Sequence, residues 1–141
     1  MSIAGQAERP LDVREFASDD AAPRNARRFV TAVLTQRRAD ERVVADLTLV
    51  ASELVSNAVE HVGDGAITVS VGSHDGVEWL LDVQCRVPPT GEYPPVADWI
   101  VARPDHPSGR GLGIVRGLTD TVAVEASGGL LVVRCRRRAG V

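Results

Sequence analysis

The chain contains no lysine; all 16 of its basic residues are arginine. That absence removes a P-loop lysine, a Schiff-base lysine and a lysine general base from the possible chemistries. Cysteine is nearly absent as well. Cys85 and Cys135 have no CxxC partner and suit buried free thiols better than a metal site or a disulfide. Long apolar runs are missing, and Met1 to Pro10 has no hydrophobic h-region, so neither a membrane span nor a signal peptide is expected, and the cytoplasm is the expected location. Net charge is small too. A net charge of −3 with scattered arginines does not favour nucleic-acid binding. The one basic concentration is Arg134, Arg136, Arg137 and Arg138, which reads as a solvated terminal strand, with a docking patch as the alternative.

What remains is a chain of 141 residues, 44% apolar and 25% charged, the balance of one domain, 1–141, with a single core. Leu11 to Phe16 reads as a strand, and Ser18 to Asp20 offer caps for a helix over Pro23 to Gln36. Ala26, Phe29, Val30, Val33 and Leu34 give that helix its apolar face. A second helix, about Asp40 to Val62, carries Val43, Leu47, Val50, Ala51, Leu54 and Ala58 and stops at Gly63-Asp64-Gly65. The period then becomes two. Ile67, Val69 and Val71 form one strand, and a turn at His74-Asp75-Gly76 leads to another from Val77 through Val83. The stretch from Val87 to Pro107, with 88–107 as its lid segment, holds six of the eight prolines and reads as a binding loop or lid. Gly111 to Leu118 follows as a short helix. Strands at Thr121 to Glu125 and Leu130 to Arg136, joined at Ser127-Gly128-Gly129, complete a two-layer α+β sandwich, a mixed and mainly antiparallel sheet covered by helices.

Two features carry chemistry. Glu53, Asn57 and His61 are four apart, so they share one stripe beside the apolar face of the second helix. A carboxylate, an amide and an imidazole there can polarise a hydroxyl or water, ligate a hard cation and hydrogen-bond a phosphate. The plainer alternative is a solvated helix edge. Gly109-Arg110-Gly111-Leu112-Gly113 places glycines at alternate positions ahead of an apolar helical run, where backbone N–H groups can approach an anion and Arg110 can add a charged fork. A ligand-free hinge is the alternative there. The spacing is not GxGxxG, so a dinucleotide fold is not expected.

Together, Ser52 to His61 (SELVSNAVEH), the proline-rich lid and the Gly109 to Val115 box resemble the GHKL (histidine-kinase/gyrase-like) ATPase domains, nearest the bacterial anti-sigma-factor serine kinases. An arginine-rich chain without lysine also fits a GC-rich bacterial genome. The resemblance implies the family's ATP-binding sandwich, with ATP and Mg²⁺ as cofactors and serine/threonine kinase activity. Glu53 would be the catalytic base, and Asn57 would hold Mg²⁺ beside the triphosphate. His61, Gly109, Arg110, Gly111 and Gly113 would complete the nucleotide site. The implied partner is a regulatory protein such as a sigma factor or an anti-sigma antagonist, with a homodimer also implied and direct nucleic-acid or membrane contact not.

One position departs from the family. The aspartate that accepts a hydrogen bond from the adenine amino group is replaced, at the end of Leu81-Asp82-Val83-Gln84-Cys85, by Cys85. Asp82 stands three residues away, a shift that reverses its face. A thiol is a weak partner, so losing the charge-assisted bond would cost roughly 1.5–3 kcal/mol. Two readings follow: a nucleotide-dependent regulator, or a degenerate domain that keeps the fold as a protein-binding module. A third, in which Cys85 senses oxidants, rests on a single thiol.

Overall fold

The computed structural model describes residues 11–62, 65–86 and 107–140, the side chains of 61, 62 and 107–110 excepted. Its elements are β1 (Leu11–Ala17), α1 (Ala22–Gln36), α2 (Glu41–Val62), β2 (Ala66–Ser73), β3 (Glu78–Arg86), α3 (Pro107–Leu118), β4 (Thr121–Ser127) and β5 (Leu130–Arg138). The strands form one five-stranded sheet in the order β1-β2-β3-β5-β4. Every pairing in it is antiparallel, which sharpens the expected mixed sheet. The expected lid lies outside the described residues except for Pro107, which opens α3, and Trp99 falls outside them too.

Alternation decides which face each strand buries. In β3, Trp79, Leu81, Val83 and Cys85 are buried, while Leu80, Asp82 and Gln84 between them are half-buried. Ile67, Val69 and Val71 of β2 and Leu131, Val133 and Cys135 of β5 join them on the inner face. The helices cover that face. Ala26, Phe29, Val30, Val33 and Leu34 of α1, and Val43, Leu47, Val50, Ala51, Leu54 and Ala58 of α2, are all in the core, as their spacing predicts. The helix layer runs α1, α2, α3: α1 packs on α2 and on β1 and β2, and α3 packs on α2. Thus α2 lies at the centre of the molecule with a helix on either side.

Local signals set the element ends. Pro23 sits in the first turn of α1, where its missing N–H costs nothing. The expected side-chain cap is absent: the N-cap is Ala21, and Asp19 instead accepts a bond from the Ala21 N–H at 2.9 Å, bracing the preceding turn. The C-terminus of α1 closes with Ala39 N–H donating to Leu34 O (2.9 Å) and Arg38 N–H to Thr35 O (3.0 Å). Arg38 holds φ 61 there, a conformation that usually falls to glycine. The β4–β5 hairpin turns on Gly128 (φ 60) and Gly129 (φ 82), the positive pair that a two-residue turn requires.

The arginine cluster of β5 is engaged with acids of neighbouring elements. Arg134 lies 3.0 Å from Glu125 and 3.7 Å from Asp82, and Arg136 lies 3.8 Å from Glu78. Arg137 reaches through to Asp46 of α2 at 3.0 Å. The exposed cross-strand pairs of Arg134 and Arg136 contribute little each, while the Arg137–Asp46 pair between β5 and α2 is largely buried.

Candidate functional site

The stripe begins as a property of α2 alone. Its apolar residues face the sheet and α1, which leaves the flank carrying Glu53 and Asn57 turned toward α3. Glu53 is half-buried and Asn57 is 6% exposed. His61 lies one helical turn further along the same helix; its side chain is outside the described residues.

Among the described residues, the side-chain nitrogen of Asn57 is buried without a hydrogen-bond partner. A buried amide left so costs about 1–3 kcal/mol. Nothing in the α2 core requires an amide at that position, because its neighbours Leu54, Val55 and Ala58 are apolar and buried. The group is therefore a standing cost of the fold, of the kind tolerated where a ligand supplies the partner.

The glycine segment departs from the expected loop followed by a helix from Gly111. The helix starts four residues earlier, at Pro107, so Gly109, Gly111 and Gly113 are all helical. Packing explains this. Leu112 and Val115 are buried in the core and anchor the segment to α2, and Pro107 is well placed in a first turn. Gly111 lets the two helices approach closely: a Cβ added there would stand 2.6 Å from the Glu53 Oε2 atom. Gly111 and Glu53 therefore approach closely, through helix packing. Gly113 is buried on the same helix, and the side chain of Arg110 is outside the described residues. The extra turn also moves the start of the helix. The first N–H groups of an α-helix have no acceptor within it and proline has no N–H, so those at the start of α3 belong to residues 108 and 109 instead of to residues after Gly111.

Cys85 occupies the inner-face end of β3, opposite Leu131. It is 4% exposed, and burial alone pushes its thiol pKa up to about 11. Cys135 is also buried and free, its pKa raised to about 12 by burial and then by the Asp82 carboxylate. Asp82 lies on the opposite face. It neighbours Arg134, and burial raises its pKa against the opposing pull of Arg134 and Arg136. The register thus leaves Cys85, not Asp82, on the helix-covered side.

The shifts of the two thiols predict a chemical result. At neutral pH both are protonated and buried, so Ellman's reagent should label neither in the native chain and both after unfolding. The linkage has a sign. A thiol whose folded pKa is raised contributes stability that is complete below its unfolded value, about 8.5, and that is lost as pH rises through the folded values. Denaturant midpoints should fall at alkaline pH. Rapid native labelling near neutrality would contradict the burial.

Sequence reasoning missed the support behind the stripe. Ser52, 7% exposed, accepts a bond of 3.0 Å from Arg27 of α1, and Thr31 and Thr48 pair at 3.0 Å between the same helices. No spacing rule links residues on separate helices. Among the described residues no cluster of three or more metal-ligating side chains occurs, and no helix is long and apolar enough to cross a membrane.

Comparison with known proteins places these features. Residues 16–137 match the family model described as histidine kinase-like ATPase domain. No curated protein matches the chain. Among solved structures, the RsbU and RsbW domains of Rv1364c from Mycobacterium tuberculosis superpose with a TM-score of 0.68 at 21% identity, covering 92% of this chain and 32% of that one. This chain therefore spans about a third of that structure. The SiaB–SiaC complex from Pseudomonas aeruginosa gives 0.64 at 13% identity, covering 97% and 95% of the two chains. The catalytic domain of the histidine kinase ThkA gives 0.55 at 17% identity, covering 91% and 96%. At these identities the likeness is one of fold.

Proposed function

Because the chain belongs to the family of histidine kinase-like ATPase domains, we propose that it is a regulatory nucleotide-binding domain of the anti-sigma-factor kinase type. It acts by coupling ATP and Mg²⁺ to the binding of a regulatory protein. The observation that carries this reading is the buried side-chain nitrogen of Asn57, without a partner among the described residues, on the stripe with Glu53. An Asn side chain presents an oxygen to a cation and its N–H₂ to a second acceptor, such as a phosphate oxygen. A phosphate oxygen would supply the acceptor that the nitrogen lacks.

The residues fit the phosphate and metal side. Asn57 would hold Mg²⁺, which when bound neutralises phosphate charge. Glu53 would accept the proton of an attacking hydroxyl or water. His61 and Arg110 would contact phosphate. The free N–H groups at the start of α3 would receive phosphate oxygens, with Gly109, Gly111 and Gly113 permitting close approach. The adenine side fits less well, since a neutral buried thiol at Cys85 replaces a carboxylate acceptor. That observation supports the second reading, a domain that keeps the fold and docks its partner without nucleotide.

The proposed partner is a regulatory protein, a sigma factor or an antagonist of the anti-sigma type; that SiaB was solved as a complex with SiaC supports a protein partner. Phosphorylation of a serine on that partner, homodimerisation and a cytoplasmic location belong to the same proposal. Calorimetric titration of ATP and ADP, each with and without Mg²⁺, decides between the two readings. Mg²⁺-dependent ATP binding that Glu53→Ala leaves in place and Asn57→Ala removes supports the first. No binding at millimolar ATP rejects it in favour of the second.

A further inference from the structure

The far side of the molecule from Glu53 carries a second feature. Among the described residues β1 ends the sheet and pairs with β2 alone, which leaves its other edge without a strand partner there. Between β1 and α1 lies an open groove of about 710 Å³. Its floor is aromatic: Phe16 and Phe29 meet edge to face, with centroids 6.0 Å apart. Its walls carry two arginines and one carboxylate, Asp12. Arg14 stands 5.1 Å over the Phe29 ring, and Arg28 lines the opposite side, both exposed.

Within its lining arginine outnumbers carboxylate, Arg14 and Arg28 against Asp12. Helix α1 contains Arg24, Arg27 and Arg28 and no acidic residue, with Arg27 turned to Ser52 of α2. Of the nearby carboxylates, Asp12 pairs with Arg37 at 3.3 Å, Asp19 braces the turn before α1, and Asp20 lies in that same turn. Glu15 belongs to the alternate face of β1, pointing away from the helices. Among the described residues neither Arg14 nor Arg28 has an ion-pair partner.

We propose that this groove docks an extended acidic segment of a partner protein. The segment adds as a strand to the free edge of β1, places an apolar side chain over Phe16 and Phe29, and sets carboxylates against Arg14 and Arg28. Backbone bonds to an edge supply the affinity of such strand addition, and side-chain pockets supply its choice of partner. A second copy of this chain is disfavoured as the occupant, because twofold pairing would bring one basic α1 surface toward another. The inference stands apart from the nucleotide reading: the groove faces β1, and α2 separates it from the contact between Glu53 and α3.

The test uses the full chain without nucleotide. A fluorescein-labelled peptide of the length of β1, with glutamate and phenylalanine sharing one face at every second position and threonine between them, is compared by anisotropy with one in which lysine replaces glutamate. The acidic peptide should bind, more weakly as salt is raised, and the lysine peptide should not. Arg14→Glu and Arg28→Glu, both at exposed positions, should each weaken binding roughly tenfold with unchanged circular dichroism. Amide exchange should slow along β1 on binding. Equal binding of both peptides, binding indifferent to either substitution, or slowing confined to β4 would overturn the proposal. So would a concentration-dependent dimer that Arg14→Glu disperses, since a second copy would then occupy the groove.

Discussion

Asn57→Leu is expected to make the protein more stable and unable to bind Mg²⁺-ATP. The two effects have one cause. The Asn57 amide is 6% exposed, and its nitrogen has no partner among the described residues, so the fold bears the desolvation of a polar group without recovering a hydrogen bond. Leucine is close in shape, and buried Leu54, Val55 and Ala58 on the same helix would receive it. Removing such an unsatisfied group is worth about 1–3 kcal/mol, less what local repacking costs. Leucine supplies no oxygen to a cation, so Mg²⁺-dependent affinity should fall about a hundredfold or more. Denaturant unfolding and calorimetry on the same preparation check the pair. A destabilised Asn57→Leu would mean that the amide contributes to the apo fold, and the argument for a ligand-facing group would fail. A stabilised variant that still binds Mg²⁺-ATP normally would remove Asn57 from the metal.

The glycine segment shows why the fold was more legible than the site. The apolar faces of α1 and α2 and the alternation of β2 and β3 follow from periods of 3.6 and 2, which depend only on neighbours along the chain. The site depends on contacts between elements. Three glycines in a row of alternating positions disfavour a helix by about 1 kcal/mol each, so a loop was the local expectation. The buried contacts of Leu112 and Val115, and the approach of Gly111 to Glu53, override that preference. The same limit applies to the end of α1. With no glycine after Gln36, nothing local announces that Arg38 adopts a left-handed conformation to close the helix. The face of Asp82 was legible, since alternation alone excludes it from the inner side. The unpartnered state of Asn57 was not, because a hydrogen-bond deficit is a property of the packed interior and leaves no trace in residue spacing.

Under the nucleotide-binding proposal, Cys85→Asp should supply the adenine contact that the family resemblance implies, at the expense of the apo fold. A carboxylate at this position would gain a charge-assisted bond, and ATP affinity should rise roughly ten- to a hundredfold. The site that receives it is dry: Cys85 is 4% exposed, and burial pushes its thiol up to about 11. The same burial will raise the pKa of an aspartic acid placed there. A carboxyl whose folded pKa lies above its unfolded value contributes most stability below the unfolded value, about 3.9. That contribution is lost as pH rises through the folded one. The variant should therefore be less stable than the parent at neutral pH, and the deficit should shrink on acidification toward pH 4. Saturating ATP should shrink it as well, because a ligand that binds only the folded state stabilises it by mass action. Rescue by acid without rescue by ATP would mean that the inner end of β3 no longer faces a nucleotide, which favours the domain that docks its partner unaided. Rescue by both would leave Cys85 as the residue that holds this pocket at low affinity.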